Sequence, residues 1–293
     1  MNILITGGTG FIGRNLTEYL SPKHKVFAPT HEELELLDDS AVNGYFNKYR
    51  FDFVIHGAVR PGHRNTKNSC GQLDTNLRMF FNIIRNNDKF GRLIFLSSGA
   101  VYGVSRPLVK IKEEHLGELI PKDEHGFSKY IIARYIERID NAVELRVFGI
   151  FGKYEDYAIR FISNAICKTI CGLPITVKEN RKLDYIYIDD LMPVIDYFVS
   201  TPNPRFKAYN VTPDQSIEIK ELAKKVKLIT GKGVPIIVNE KSLGVEYGGD
   251  NSRLKAEITD LRFTPIDTAI KKLNEWYLEN QHLINKELLL SDK

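Results

Sequence analysis

Three cysteines in 293 residues, Cys70, Cys167 and Cys171, are too few and too irregularly spaced for a disulfide framework or a zinc site. Cys167 and Cys171 fall on an expected helix, where packing accounts for them and no metal is needed. No apolar stretch approaches the ~20 residues that cross a bilayer. The sequence also has no internal repeat, low-complexity tract or linker, which argues against a solenoid or an interaction tail. A signal peptide is not expected either, because the apolar run at the N-terminus is strand-length and belongs to the motif described next. Neither sign of charge dominates. The net +4 is spread along the chain rather than gathered into a basic stripe, so no nucleic-acid footprint and no membrane surface are expected. A cytoplasmic protein fits this composition, whose 43% hydrophobic residues can fill a sizeable core.

What the sequence does have is a glycine-rich loop in a particular place. Asn2-Ile3-Leu4-Ile5-Thr6 reads as a strand, Gly7-Gly8-Thr9-Gly10-Phe11-Ile12-Gly13 follows at once, and Arg14 to Leu20 reads as the first turns of a helix. In such a strand-loop-helix unit Gly7 permits a tight turn, Gly10 lets backbone approach a pyrophosphate, and Gly13 allows close helix packing. The helix N-terminus, at Phe11 and Ile12, supplies N–H groups to the anion. A dinucleotide is therefore expected here.

Further along, apolar runs alternate with helical patterns. Strands are expected at 25–28, 53–56, 92–97 and 142–147, and helices at 74–86 and 128–139. This alternation implies right-handed crossovers and an α/β fold, a Rossmann-type doubly wound parallel sheet. After about residue 150 the segments shorten, Gly and Pro breaks appear, and two more helices are expected near 219–230 and 267–280. The expected organisation is a dinucleotide-binding Rossmann domain over 1–150 and a smaller C-terminal α/β substrate lobe over 151–293, with part of 182–205 returning to the first domain.

Several ordered segments carry a resemblance over nearly the whole chain: the opening loop, His56-Gly57-Ala58, Ser97 to Gly103, Ser128-Lys129, Leu145-Arg146-Val147-Phe148, Asp184 to Leu191, and Leu261 to Pro265. In these the sequence resembles the extended short-chain dehydrogenase/reductases of the NAD-dependent epimerase/dehydratase family, which act on nucleotide sugars. The stretch Thr30 to Asp38 is most similar to the GDP-fucose synthase branch, and the UDP-galactose 4-epimerases are also near. The resemblance implies hydride transfer at C4 of a nucleotide-activated sugar, as 4-keto reduction or C4 epimerisation. It implies a proton-transfer unit of Ser or Thr, Tyr, and a Lys four residues after the Tyr. Ser98 and Lys129 take two of these places, but the Tyr place holds His125. An imidazole can exchange a proton near neutral pH, so His125 is a candidate acid/base; the alternatives are a histidine that merely packs, or another phenol such as Tyr102 or Tyr130.

Two more positions depart from the family pattern. Gly149 stands where Asn contacts the phosphates, and Leu183 where Arg clamps the diphosphate. Either the clamp has moved, with Arg160, Arg181, Lys182 and Arg253 as candidates, or the substrate is unusual. Arg60, His63, Arg64 and Tyr102 could line the same crevice.

The second strand ends Ala28-Pro29-Thr30-His31 with no carboxylate at its tip, and Arg14 could meet a 2′-phosphate, so NADP is expected with NAD possible. Asp38 has either the family's adenine contact or an ordinary helix cap. His56, Gly57, Ala58 and Asn76 complete the expected cofactor set, together with Lys129 on the ribose. Two function classes remain open: a nucleotide-sugar oxidoreductase, and a dinucleotide-binding regulatory subunit that has lost its chemistry. By the resemblance, a homodimer would form through helices 74–86 and 128–139.

Overall fold

The computed structural model describes residues 1–60 and 70–290, so His63 and Arg64 lie outside the described residues. In chain order, the first half runs β1 (Asn2–Thr6), α1 (Phe11–Leu20), β2 (Lys25–Phe27), α2 (Asp39–Lys48), β3 (Phe51–His56), α3 (Gln72–Ile84), β4 (Phe90–Ser98), β5 (Leu108–Ile111), α4 (Glu124–Ile136) and β6 (Ala142–Val147). The second half runs β7 (Gly149–Phe151), α5 (Phe161–Ile170), β8 (Ile175–Asn180), β9 (Lys182–Leu183), β10 (Tyr185–Tyr187), α6 (Ile188–Ser200) and β11 (Ala208–Val211). It continues with β12 (Ile217–Glu218), α7 (Ile219–Thr230), β13 (Ile236–Leu243), β14 (Tyr247–Gly249), α8 (Ser252–Glu257), α9 (Ile266–Glu279) and α10 (Glu287–Leu290).

Six parallel strands form the central sheet, in the order β11-β6-β4-β3-β1-β2. Its double winding is written in the alternation of side chains. Ile3, Ile5, Ile55, Ile94, Val143 and Leu145 enter one apolar cluster with Leu16 of α1 and Leu191 and Ile195 of α6. Their neighbours Leu4, Val54, Leu93 and Phe95 enter a second cluster with Phe46 of α2, Phe80 of α3 and Ile132 of α4. Because successive strand residues face opposite sides, both faces are apolar and both must be covered by helices. Each such side chain contributes roughly 1.5–3 kcal/mol on burial.

The expected fold class holds, and two details differ from expectation. Helix α4 begins at Glu124 rather than near 128, because Asp123 caps it by accepting from the N–H of Gly126 at 2.7 Å. One edge strand of the sheet is Ala208–Val211, C-terminal to the 182–205 stretch expected to return. Helix α6 shares its apolar cluster with β1 and β6, and Asp196 on it pairs with Lys23, just after α1, at 2.9 Å.

The remaining strands form small sheets, β12-β9-β14-β5, β10-β7 and β13-β8. Asp190, in the first turn of α6, joins two of the sequence segments noted above. Its carboxylate accepts from the N–H of Tyr187 at 3.2 Å and from the Thr264 hydroxyl at 2.6 Å. Among the described residues no helix is long and apolar enough to cross a membrane, and no cluster of His, Cys, Asp and Glu could hold a metal.

Candidate active site at the carboxyl ends of the strands

The glycine loop is the first component. Gly7 adopts φ +74°, in the left-handed region, and a Cβ on it would lie 2.8 Å from the Ala58 nitrogen. A Cβ on Gly13 would run into the Gly7 carbonyl and lie 2.7 Å from its carbon. Helix α1 therefore sits directly against the turn. Its first turn has neither a side-chain cap nor an acidic residue, so its N–H groups are available to an anion. Phe11, Ile12 and Gly57 line a cavity of about 520 Å³ at the carboxyl ends of the strands. The cradle fits a dinucleotide pyrophosphate.

Behind this wall, His56 is buried, its Nδ1 2.7 Å from Thr6 Oγ1. Burial, aided by the Lys129 ammonium, pushes its imidazole down to about 3, so it is neutral. Asn76 is also buried and does not line the cavity; its Oδ1 accepts from the N–H of Arg60 at 2.8 Å, bracing the chain after β3.

Lys129, Ser98 and His125 all face the cavity. Lys129 and His125 lie one turn apart on α4, which puts them on a shared face. Lys129 is buried, donating to the Leu96 carbonyl at 3.0 Å with its ammonium 4.4 Å above the Phe95 ring. Burial lowers it to about 8, with Glu144 opposing. Ser98 Oγ accepts from the N–H of Ala100 at 3.2 Å and lies 3.3 Å from the hydroxyl of Tyr247.

The two phenols offered by the sequence, Tyr102 and Tyr130, are placed elsewhere. Tyr102 is fully buried, donating to Asn210 at 2.7 Å and accepting from Arg146 at 2.8 Å, with Arg146 paired to buried Glu144 at 2.8 Å. Tyr130 stacks on Phe127, with ring centroids 6.4 Å apart, and is not among the lining residues.

The basic candidates separate in the same way. Arg160 and Arg181 line the cavity, as does Arg106, which carries no motif and pairs with Glu118 at 2.9 Å. Lys182 and Arg60 are exposed outside the described lining. Arg253 also lies outside it, drawn to Glu113 at 3.6 Å and Glu114 at 3.5 Å.

Gly149 lines the cavity through its backbone, and the geometry explains why it is not Asn. At the β7–β10 pairing a Cβ would run into the Asp184 carbonyl and lie 3.0 Å from the Tyr185 ring. Gly149→Asn, which restores the family residue, is thus expected to destabilise the protein by about 1–3 kcal/mol, read as a shift in the urea-unfolding midpoint.

Between β2 and α2, Asp38 is the N-cap of α2, accepting from the N–H groups of Ser40 and Ala41 at 2.9 and 3.1 Å. Glu33 accepts from the Thr30 N–H at 2.8 Å, and exposed His31 lies 3.7 Å from Glu35. The Arg14 guanidinium sits 3.9 Å over the Tyr154 ring.

Sequence motifs gave no sign of Glu155. It is buried on the cavity wall, accepting from Ser163 at 2.7 Å, and burial pushes its carboxyl up to about 8.

A glycine cradle built into the first strand-to-helix turn of a parallel sheet is the mark of the dinucleotide-binding Rossmann proteins. Within that class the chain belongs to the NAD dependent epimerase/dehydratase family, whose match covers residues 3–212. It is 23% identical to the GDP-L-colitose synthase of Yersinia pseudotuberculosis, over 96% of this chain and 99% of that one. Among solved structures, the UDP-glucose 4-epimerase of Thermotoga maritima, with UDP-glucose, aligns at a TM-score of 0.83 and 19% identity, covering 96% of this chain and 100% of that chain. The GDP-mannoheptose C4 reductase of Campylobacter jejuni, with NADP bound, aligns at 0.81 and 23% identity, covering 94% and 98%. The family expectation from the sequence motifs therefore holds.

Proposed function

We propose that the protein is an NAD(P)-dependent oxidoreductase or epimerase of a nucleotide-activated sugar, with reduction of a 4-keto sugar as the leading reaction and NADP as the preferred cofactor. The observation that carries this reading is the convergence of Ser98, His125, Lys129, Arg160 and Arg181 on one cavity, which opens against the glycine cradle. The bound cofactor would supply or accept the hydride.

The chain's own residues do the rest. Gly7, Gly10 and Gly13 admit the pyrophosphate to the N-terminus of α1, and Lys129 holds the ribose. Ser98 hydrogen-bonds the sugar oxygen, and His125 lies on the route by which its proton is exchanged. Arg160 and Arg181 supply the positive charge for the sugar-nucleotide diphosphate that Leu183 cannot. The three free cysteines fit a reducing, cytoplasmic setting. A homodimer across α3 and α4 belongs to the same reading, since half-exposed Tyr135 packs against Phe81 on the outer side of that helix pair.

The test is NADPH oxidation with a panel of 4-keto-6-deoxy sugar nucleotides. Turnover is expected with at least one of them, falling about 10²- to 10⁴-fold in His125→Ala and largely retained in His125→Tyr. Cofactor binding with no turnover on any member of the panel would refute the reading and favour a non-catalytic subunit.

A further inference from the structure

The chain has no tyrosine in helical register with Lys129 at position 125, yet the fold brings a phenol to Ser98 from a distant segment. Tyr247 opens β14, and its hydroxyl lies 3.3 Å from Ser98 Oγ on the wall that also holds His125 and Lys129.

Its placement is fixed by several contacts. The Tyr247 carbonyl accepts from the N–H of Asp184 at 3.1 Å, and the buried Asp184 carboxylate accepts from the N–H of Gly249 at 2.8 Å and from Ser216 at 2.6 Å. The Tyr247 ring packs on Phe148, with centroids 5.0 Å apart. Room for the hydroxyl is made by Gly99, next to Ser98, where a Cβ would lie 2.6 Å from the phenol oxygen and equally close to the Phe148 ring. Tyr102, by contrast, spends its hydroxyl on Asn210 and Arg146 in the core. Tyr247 presents its hydroxyl to a serine at the cavity surface.

We propose that Tyr247 is the catalytic phenol of this site, giving its proton to the sugar carbonyl oxygen in the reductive direction while Ser98 hydrogen-bonds that oxygen; the assignment rests on the nucleotide-sugar oxidoreductase reading. The Tyr247 O–H bond breaks and its proton forms the new O–H bond on the sugar. The C=O π pair moves to that oxygen as the carbon gains hydrogen, with its electron pair, from a reduced nicotinamide. Solvent then reprotonates the phenolate, and His125, which lines the same cavity, can relay that proton. Burial pushes the phenol up to about 12, with Ser98 opposing. The hydroxyl is therefore protonated at neutral pH, yet it is a stronger acid than the alcohol formed.

The experiment is Tyr247→Phe, which deletes one oxygen. The rate kcat is expected to fall about 10²- to 10³-fold, while NADPH and sugar-nucleotide affinities, measured by calorimetry, stay at the wild-type level. Should that variant not fold, Gly99→Ala displaces the hydroxyl from Ser98 without removing it and is expected to lower kcat in the same way. A Tyr247→Phe protein turning over at the wild-type rate while His125→Ala collapses would overturn the assignment and leave the oxidoreductase reading intact. A wild type that binds NADPH but turns over no sugar nucleotide would overturn both.

Discussion

At pH 9 the Glu155→Gln protein should resist urea better than the wild type, and at pH 5 the two should nearly coincide. Glu155 is buried and its carboxyl is raised from 4.5 to about 8, chiefly by burial, with Ser163 and Arg160 opposing. A carboxyl whose folded value lies above its unfolded value stabilises the fold fully below the unfolded value and loses that contribution as pH rises through the folded one. Wild-type stability should therefore fall between about pH 5 and pH 8, by roughly 3–5 kcal/mol at most. Glutamine carries no charge at any pH and can still accept from the Ser163 hydroxyl, so the variant should show no such fall. Parallel pH profiles for the two proteins would mean that Glu155 is ionised in the native state. The neutral form also matters to the cavity: with Glu155 protonated, one negative charge is removed from the wall that Arg160 shares, which favours an anionic ligand near neutral pH.

Gly13→Ala should weaken NADPH binding about a hundredfold or more, a loss near 3 kcal/mol, while Gly44→Ala leaves it unchanged. The new methyl on residue 13 would collide with the Gly7 carbonyl and with the Gly8 Cα, 2.8 Å away. Relief requires α1 to move off the turn, carrying its N–H groups away from the pyrophosphate position. Leu16 and Leu20 still anchor the rest of α1 in the core, so the protein should remain folded. Gly44 lies within α2 with open space around it, which makes it a matched control. NADPH fluorescence titration of the two variants reads the difference, and unchanged affinity in Gly13→Ala would mean that the loop does not hold the dinucleotide.

The central sheet was legible because β1, β3 and β4 are short and mainly apolar, while β6 alternates Val143, Leu145 and Val147 with Glu144 and Arg146. Helix α7 begins and ends at the residues its periodicity marks, with Gly231 in the left-handed conformation as its stop. Strand β11 was not legible: Ala208–Val211 is only four residues long, and it earns its place through pairing with β6. In the candidate site, Ser98 and Lys129 were marked by local motifs. Tyr247, Glu155 and Arg106 were not, since each reaches the cavity by tertiary placement: Tyr247 lies 149 positions from Ser98, and no periodicity or motif spans that separation. Tyr102 shows the converse. Its motif position suggested a site residue, but the buried Glu144–Arg146 pair beside it needs a hydrogen-bonding partner, and the phenol is used there.

The path of the chain places a limit on how such a protein can diversify. After β4 it leaves for β5, returns for β6, leaves again through β7 to β10, and comes back with α6 and β11 before its final excursion. The central sheet and the smaller sheets are thus interlaced along the chain, and neither is a contiguous cassette. Recombination between relatives at a single crossover anywhere between β1 and β14 would separate strand partners. New substrate preference in this architecture has to arise by point changes and loop substitutions around a preserved weave.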